Sequence, residues 1–517
     1  MKRILYIVFS ILLTACSLDE NPRDQIPEEE AYTSATALFQ NTVATLYAYI
    51  GGNTDGEGLQ GTCRGVYDLQ TFGSDEAMLP TRGGDWYDGG LWQDMYRHSW
   101  SAGHDLPKNA WIYLYKVIAL CNRSLEQIDA HRGLLSAEQY QNYRAEVRAL
   151  RAIYYWYLTD LFGRVPLVTS SEVSMHEVTQ SERTEVFQFA VSELQESRHY
   201  LTRDYSSTEP GDYYGRVTYS VATFVLAKLM INAEVYSGTP EWQKTIDYCN
   251  ELEKMGFTLE PYYGNNFLVH NENSSENIWT IPMDKDTYTT QQQNLYRSYH
   301  YRHAAAYGFT AENGSCATRR VLEISGYDTD GEDNRFSMNY WAGEVYDLNG
   351  NTVADRMGRP LVYYPWEVAM DLSGSAYVET AGARMKKYEV DKNATKDGKL
   401  MDNDIVLFRY ADVLLMRAEA KLRLGQDGQA DFDAVRNRAG IPLRPLTLQN
   451  LLDERLMELC WEGWRRQDLI RFNQYESLFE GDAYNAKVDE SDGHTRLYPI
   501  PADVMALNHS LIQNPGY

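Results

Sequence analysis

Apolar residues recur every three to four positions over much of the chain, and that period predicts helices. Trp111, Leu114, Tyr115, Ile118 and Cys121 share one face of a helix expected over 107–128. Val147, Leu150, Tyr154, Leu158 and Leu161 form the stripe of another, over 137–162. Phe162-Gly163-Arg164-Val165-Pro166 stops it, with a glycine past the last turn and then a proline. The same period predicts helices at 31–49, 184–200, 220–236, 240–254, 404–424, 429–439 and 448–472. Two stretches lack it. Residues 51–104 and 257–403 are rich in Gly, Asp, Asn and aromatic residues, with short strand-like runs such as 277–282 and 361–364. Stretches of that length usually carry function or a small structure of their own.

The helices come in consecutive pairs. Residues 220–236 end at Ser237-Gly238 and lead straight into 240–254; residues 404–424 end at Gly425 and lead into 429–439. Each pair occupies about 34 residues, the length of a tetratricopeptide unit, without matching its consensus. Stacked pairs would build a curved frame. The expected fold class is therefore mainly α. It is a tetratricopeptide-like helical-pair scaffold with a loop-rich, partly β face. One domain spans 28–517: the frame is 28–255 and 404–517, and the insert is about 256–403.

The N-terminus reads differently. Met1-Lys2-Arg3 is basic, and residues 4–13 are apolar apart from Ser10. Ten residues make about 15 Å of helix, half of a ~30 Å bilayer core, which suits a signal peptide. The run ends in Leu13-Thr14-Ala15-Cys16, which resembles a bacterial lipobox. That resemblance implies residues 1–15 as a lipoprotein signal peptide, lipidation at Cys16, and a tether to residue 27. Ser17-Leu18-Asp19-Glu20 is similar to acidic surface-export tags. The alternative is an ordinary secretory signal with an incidental cysteine. The other five cysteines, Cys63, Cys121, Cys249, Cys316 and Cys460, contain no CxxC pair and are expected to be buried and apolar in role.

Composition narrows the chemistry. The formal charge is −25, which excludes a nucleic-acid binder relying on a basic face. A hydrophobic content of 44% excludes a disordered acidic chain. Tyrosine outnumbers phenylalanine, 40 to 15, with 11 tryptophans, so polar-tipped rings are in surplus.

Catalytic signatures fail on context. Gly56-Glu57-Gly58-Leu59-Gln60-Gly61 matches GxGxxG but follows an expected helix rather than a strand. His176-Glu177 begins a zincin-like pattern that Gln180 breaks. No cofactor is expected. Asp328, Asp330 and Asp333 form a weak Ca²⁺ candidate without a closing glutamate, or else a solvated loop.

The aromatic loops carry more. Residues 82–92 set Asp85, Trp86, Tyr87 and Trp92 among glycines. Flat rings stack on sugar C–H faces, carboxylates accept from hydroxyls, and glycines let the backbone approach. Tyr296, Tyr299 and Tyr301 form a second group; Tyr340 with Trp341, and Tyr363, Tyr364 and Trp366, form two more. Any one of these rings could equally pack in the core, Trp86 less so, because its neighbours are polar or Gly and it lies far from any apolar period.

Several longer segments resemble the SusD/RagB family. They are Arg148-Ala149-Leu150-Arg151-Ala152-Ile153-Tyr154-Tyr155-Trp156, Gly215-Arg216-Val217-Thr218, the run from Phe408 to Ala420, and Val435-Arg436-Asn437-Arg438-Ala439-Gly440. Glu454-Arg455, Glu462-Gly463, Arg466-Gln467-Asp468-Leu469-Ile470-Arg471 and the Gln513–Tyr517 tail follow in the family order. The resemblance implies a non-enzymatic, lipid-anchored outer-membrane protein facing the cell exterior. It would capture oligosaccharides as the lid of a SusC-like TonB-dependent barrel. Peptide capture by a lid of the same kind is the alternative, with a surface glycoside hydrolase behind it. The family pattern places ligand contacts in the 85–92 loop, near Asn313-Gly314-Ser315-Cys316 and near 382–388. The resulting ligand candidates are Asp75, Asp85, Trp86, Tyr87, Trp92, Tyr296, Tyr299, Cys316, Trp341 and Arg384. Arg384 could fork onto sugar hydroxyls or an acidic sugar, or make a structural ion pair; Asp75 is similarly open. Arg144, Arg148 and Arg151 share a helix face by their spacing and are expected to pair with acids on neighbouring helices.

Overall fold

In the computed structural model, residues 31–174, 178–288, 290–394, 397–476 and 490–517 are described. The expected signal segment, Cys16 and the tether lie outside them, as do His176 and Glu177.

Helices dominate, in the order α1 (Asp105–Ala130), α2 (Ala137–Phe162), α3 (Arg183–Ser197), α4 (Tyr219–Ile231), α5 (Trp242–Lys254), α6 (Tyr410–Arg423), α7 (Gln429–Ala439), α8 (Leu448–Leu459) and α9 (Arg465–Arg471). α1 packs on α2, α2 on α3, α4 on α5, α5 on α6 and α6 on α7, so the frame is a run of helical pairs. Local signals set the ends. Ser136 and Gln139 form a reciprocal capping box at the start of α2, and Gly163 ends it at φ 71°. A Cβ on Gly163 would lie 2.7 Å from Leu497, so the stop also needs a glycine for space. Every residue of α4 and of α2 from Ala149 onward is buried. A helix buried all round belongs in a core, which is wider than the one stripe read from the sequence. Among the described residues no helix is long and apolar enough to cross a membrane.

Buried ion pairs shape the frame. Arg409 binds Glu276, Glu458 and Glu462, and all four side chains are buried. Arg335 binds Asp333, Glu454 and Glu458. Arg148 and Arg151 reach Glu193 on α3, and Arg144 reaches Asp129 on α1, as their spacing predicts.

Several expected helices end or break where such groups intervene. The 448–472 helix is two, because Cys460-Trp461-Glu462-Gly463 turns with Trp461 at φ 63° and Gly463 at φ 76°. That turn delivers Glu462 to Arg409 and Lys387. The front of the 404–424 helix is a strand, β2 (Ile405–Arg409), paired antiparallel with β1 (Asn277–Ile281). The 220–236 helix breaks at Asn232, whose amide bonds back to the Lys228 carbonyl at 3.0 Å. The first helix begins at Ala35 and passes through a π turn at Gln40–Ala44.

The loop-rich regions are built from short pieces. Ala77–Met78 pairs with Cys316–Ala317, and Tyr340–Trp341 with Arg384–Met385. These two-residue ladders and short helices such as Gln293–Ser298 and Tyr301–Tyr307 bring the aromatic loops together.

Candidate ligand-binding cleft

The 82–90 loop is a turn on glycines. Arg82 and Asp85 exchange both backbone hydrogen bonds, at 2.9 and 3.2 Å. Gly83, Gly89 and Gly90 take positive φ, and so does Trp86, at 61°. A bulky residue in that region holds on the order of 1–3 kcal/mol of strain and persists only where its surroundings enforce it. Here the Trp86 indole donates to the Glu312 carbonyl at 2.9 Å and meets Trp92 edge-on at 6.2 Å. Beneath it lies Gly314, where a Cβ would be 2.7 Å from the indole.

The platform under Gly314 is charged and fully buried. Arg297 is paired with Asp68 at 2.9 Å, and its carbonyl accepts from Gly314 and Ser315. Arg82 donates to the carbonyls of Gly314, Val378 and Ala381, and Arg384 donates to those of Gly314, Ser315 and Glu379. Burial, with Arg384 beside it, pulls the Arg82 pKa down to about 9.

Above this platform an open cleft of about 440 Å³ is lined by Trp86, Asp85, Tyr301, Glu312, Arg64 and Lys399, with Asp55, Asp88 and Gln293 beside them. Tyr301 donates to Asp85. Tyr296, half-buried behind the lining, donates to Glu312 at 3.0 Å and carries the Lys399 ammonium 4.3 Å above its ring. Burial and the Glu312 carboxylate push the Tyr296 hydroxyl up to about 12, so it remains a donor. Arg64 binds Asp88 at 2.7 Å and lies 3.7 Å from Asp55. The cleft thus offers aromatic rings, carboxylate acceptors and a few donors.

Of the sequence-predicted residues, Asp85 and Trp86 line this cleft; Tyr296, against Glu312 and Lys399, and Tyr87, 54% exposed, lie outside its lining. The rest go elsewhere. Asp75 is buried in a fork with Arg465, at 2.6 and 2.8 Å. Trp92 is core, its indole N–H on Asp88. Tyr299 is buried and accepts from Trp341 at 2.7 Å; Trp341 is half-buried against Tyr299 and His303 rather than in the cleft. Cys316 is buried under Gly382, and burial pushes its thiol up. Arg384 is buried and spends its guanidinium on main-chain carbonyls instead of the ion pair foreseen as its alternative. Six residues therefore move from ligand contact to support or core. Asp333 caps the Asn334–Asn339 helix and pairs with Arg335, which removes it from a cation site; no metal-ligating group is formed among the described residues. GxGxxG is a tight loop between two helices, where a Cβ on Gly58 would lie 2.3 Å from the Gly51 carbonyl.

Lys399, Glu312, Asp55 and Arg64 carried no sequence signal for the cleft, being far apart in a chain full of charge. Tyr301 had one: it lies in the same tyrosine run as Tyr296.

Two family models match the chain: "SusD family" over residues 271–517, and "Starch-binding associating with outer membrane" over residues 62–231. The chain is similar to the starch-binding protein SusD of Bacteroides thetaiotaomicron, with 27% identity over 89% of this chain and 87% of that one. It superposes on a SusD superfamily protein from Bacteroides vulgatus with a TM-score of 0.74 and 19% identity, covering 94% of this chain and all of the other. Surface glycan-binding protein A from Bacteroides thetaiotaomicron, solved with laminarihexaose, superposes with a TM-score of 0.73 at 19% identity, over 93% and 100% of the two chains.

Proposed function

The chain belongs to the SusD/RagB family, and from that premise we propose that it captures oligosaccharides outside the outer membrane and holds them in the Trp86 cleft. The observation that carries this reading is the cleft itself. An indole on strained backbone, a tyrosine and several carboxylates converge on one open space of the size ligand sites commonly have. An indole or tyrosine face suits the C–H face of a sugar ring, and carboxylates accept from its hydroxyls. The protein is a binding module, and release to a transporter, not turnover, completes its task.

Calorimetry of the full chain against laminarihexaose, soluble starch and a wider oligosaccharide panel tests the reading. At least one glycan should bind, and Trp86→Ala should weaken it. A panel without binding, or a Trp86→Ala variant that binds as the parent does, refutes it. Mass spectrometry of the protein purified from its own membrane would turn the reading toward peptides if peptides, not sugars, came with it.

Attachment and partnership complete the proposal. Cys16 carries the lipid, and the folded chain forms the lid of a SusC-like TonB-dependent barrel. Cys16→Ser should release the protein from the outer membrane, and a pull-down of the parent should recover the barrel. A Cys16→Ser protein that stays in the membrane, or a pull-down without a barrel, counts against it.

A further inference from the structure

We infer that the Trp86 cleft selects uncharged glycan chains and rejects uronate-bearing ones, an inference that rests on the oligosaccharide reading of the same cleft. The observation is its charge inventory. Among the described residues, Asp55, Asp85, Asp88 and Glu312 line it against Arg64 and Lys399. Of these cations, Arg64 is already spent on carboxylates, and Lys399 is held against a ring. Arg64 is held by Asp88 at 2.7 Å with Asp55 at 3.7 Å behind it. Lys399 rests 4.3 Å above the Tyr296 ring, whose hydroxyl is bonded to Glu312. Among the described residues the Asp85 carboxylate is paired with the neutral Tyr301 hydroxyl. The two guanidiniums below, Arg82 and Arg384, are buried and turned to main-chain carbonyls. The described lining is thus two charges negative, and its free polar capacity is mostly acceptor. Acceptors suit hydroxyl donors and repel a carboxylate, which has no proton to give. At about 6 Å, with an effective dielectric of about 40, one unbalanced charge weakens a carboxylate-bearing ligand about tenfold.

The test uses a matched pair, so that linkage and length cancel. The panel oligosaccharide that binds best is compared with the same chain after oxidation of its primary alcohols to carboxylates, and with the methyl ester of that product. Titrations of the full chain are run at about 50 mM and about 500 mM salt, where the screening length falls well below the cleft's dimensions. The oxidised chain should bind at least tenfold more weakly at low salt. The gap should narrow at high salt, in the methyl ester, and in Asp85→Asn and Glu312→Gln. Equal or tighter binding of the oxidised chain at low salt overturns the inference and leaves the oligosaccharide reading standing. So does a gap that neither salt nor esterification changes, since it would report lost hydroxyls and not charge. Failure of the neutral chain to bind overturns both.

Discussion

Gly314→Ala isolates the link between the buried platform and the ligand face. Gly314 does not take a positive φ, so alanine adds a Cβ without backbone strain. That Cβ would lie 2.7 and 2.8 Å from Cε2 and Nε1 of Trp86 and 3.0 Å from the Arg297 carbonyl oxygen. Carbon contacts settle near 3.5 Å or more, so the indole must retreat by about 0.8 Å. It has little room, because Trp92 meets it edge-on and its N–H is bonded to the Glu312 carbonyl. Overpacking of this kind costs about 1–3 kcal/mol, and losing the hydrogen bond adds about 0.5–1.5 kcal/mol. Displacing Trp86 avoids the clash but spoils its stacking position. If about 1–2 kcal/mol of that appears in binding, the glycan Kd rises roughly 5- to 30-fold. Calorimetry on the parent, Gly314→Ala, Trp86→Ala and the double variant forms a cycle. Because both substitutions act through the same ring, the double variant should lose no more than Trp86→Ala alone. Parent-like binding by Gly314→Ala, or losses that simply add, would refute the claim that Gly314 serves the ligand through Trp86.

Three further outcomes follow from buried groups. Burial pushes the Glu76 carboxyl up from its usual 4.5 to about 8, so its favourable contribution is present below pH 4.5 and lost as pH rises through about 8. Glu76→Gln keeps an acceptor for the Trp461 N–H, 2.7 Å away, and should gain on the parent in calorimetric Tm between pH 5 and 9; parallel curves would exclude an ionising Glu76. Glu458 is buried, but Arg438, Arg409 and Arg335 outweigh that burial and hold its carboxyl well below the usual range. Glu458→Gln leaves these guanidiniums short of a counter-ion and should cost about 3–5 kcal/mol in denaturant unfolding, whereas a loss below about 1 kcal/mol would mean the network is dispensable. Cys63, Cys121, Cys249, Cys316 and Cys460 are free, buried thiols, so a thiol-reactive dye should label them only on unfolding; rapid labelling of the native chain would contradict their burial.

The cleft and its support differ in how far the chain alone reveals them. The Asp85–Trp86 turn was legible because an indole among glycines and acids has no apolar period to join. Trp92, only six residues on, looked the same but turns inward from the Leu91–Arg97 helix. The Tyr296, Tyr299 and Tyr301 run splits likewise: the chain is extended at Tyr299, which points into the core between two short helices. Arg384 and Asp75 read as ligand groups because a lone charge in a loop shows no partner. Their partners, the 314–315 and 379 carbonyls and Arg465, are remote in sequence or invisible to it.

What the sequence by itself determined is local: the periodic helices, the Gly163 stop, the Ser136 cap and the ordered segments that mark the family. These rest on contacts within a few residues or on matched words. The excess of tyrosine was legible as well, but not its allocation between core and surface. Only the tertiary structure decided that, together with the joining of Lys399 and Glu312 to Trp86 and the charge left over in their cleft. Burial and ion pairing depend on which distant segments meet, and side-chain type alone does not carry that information.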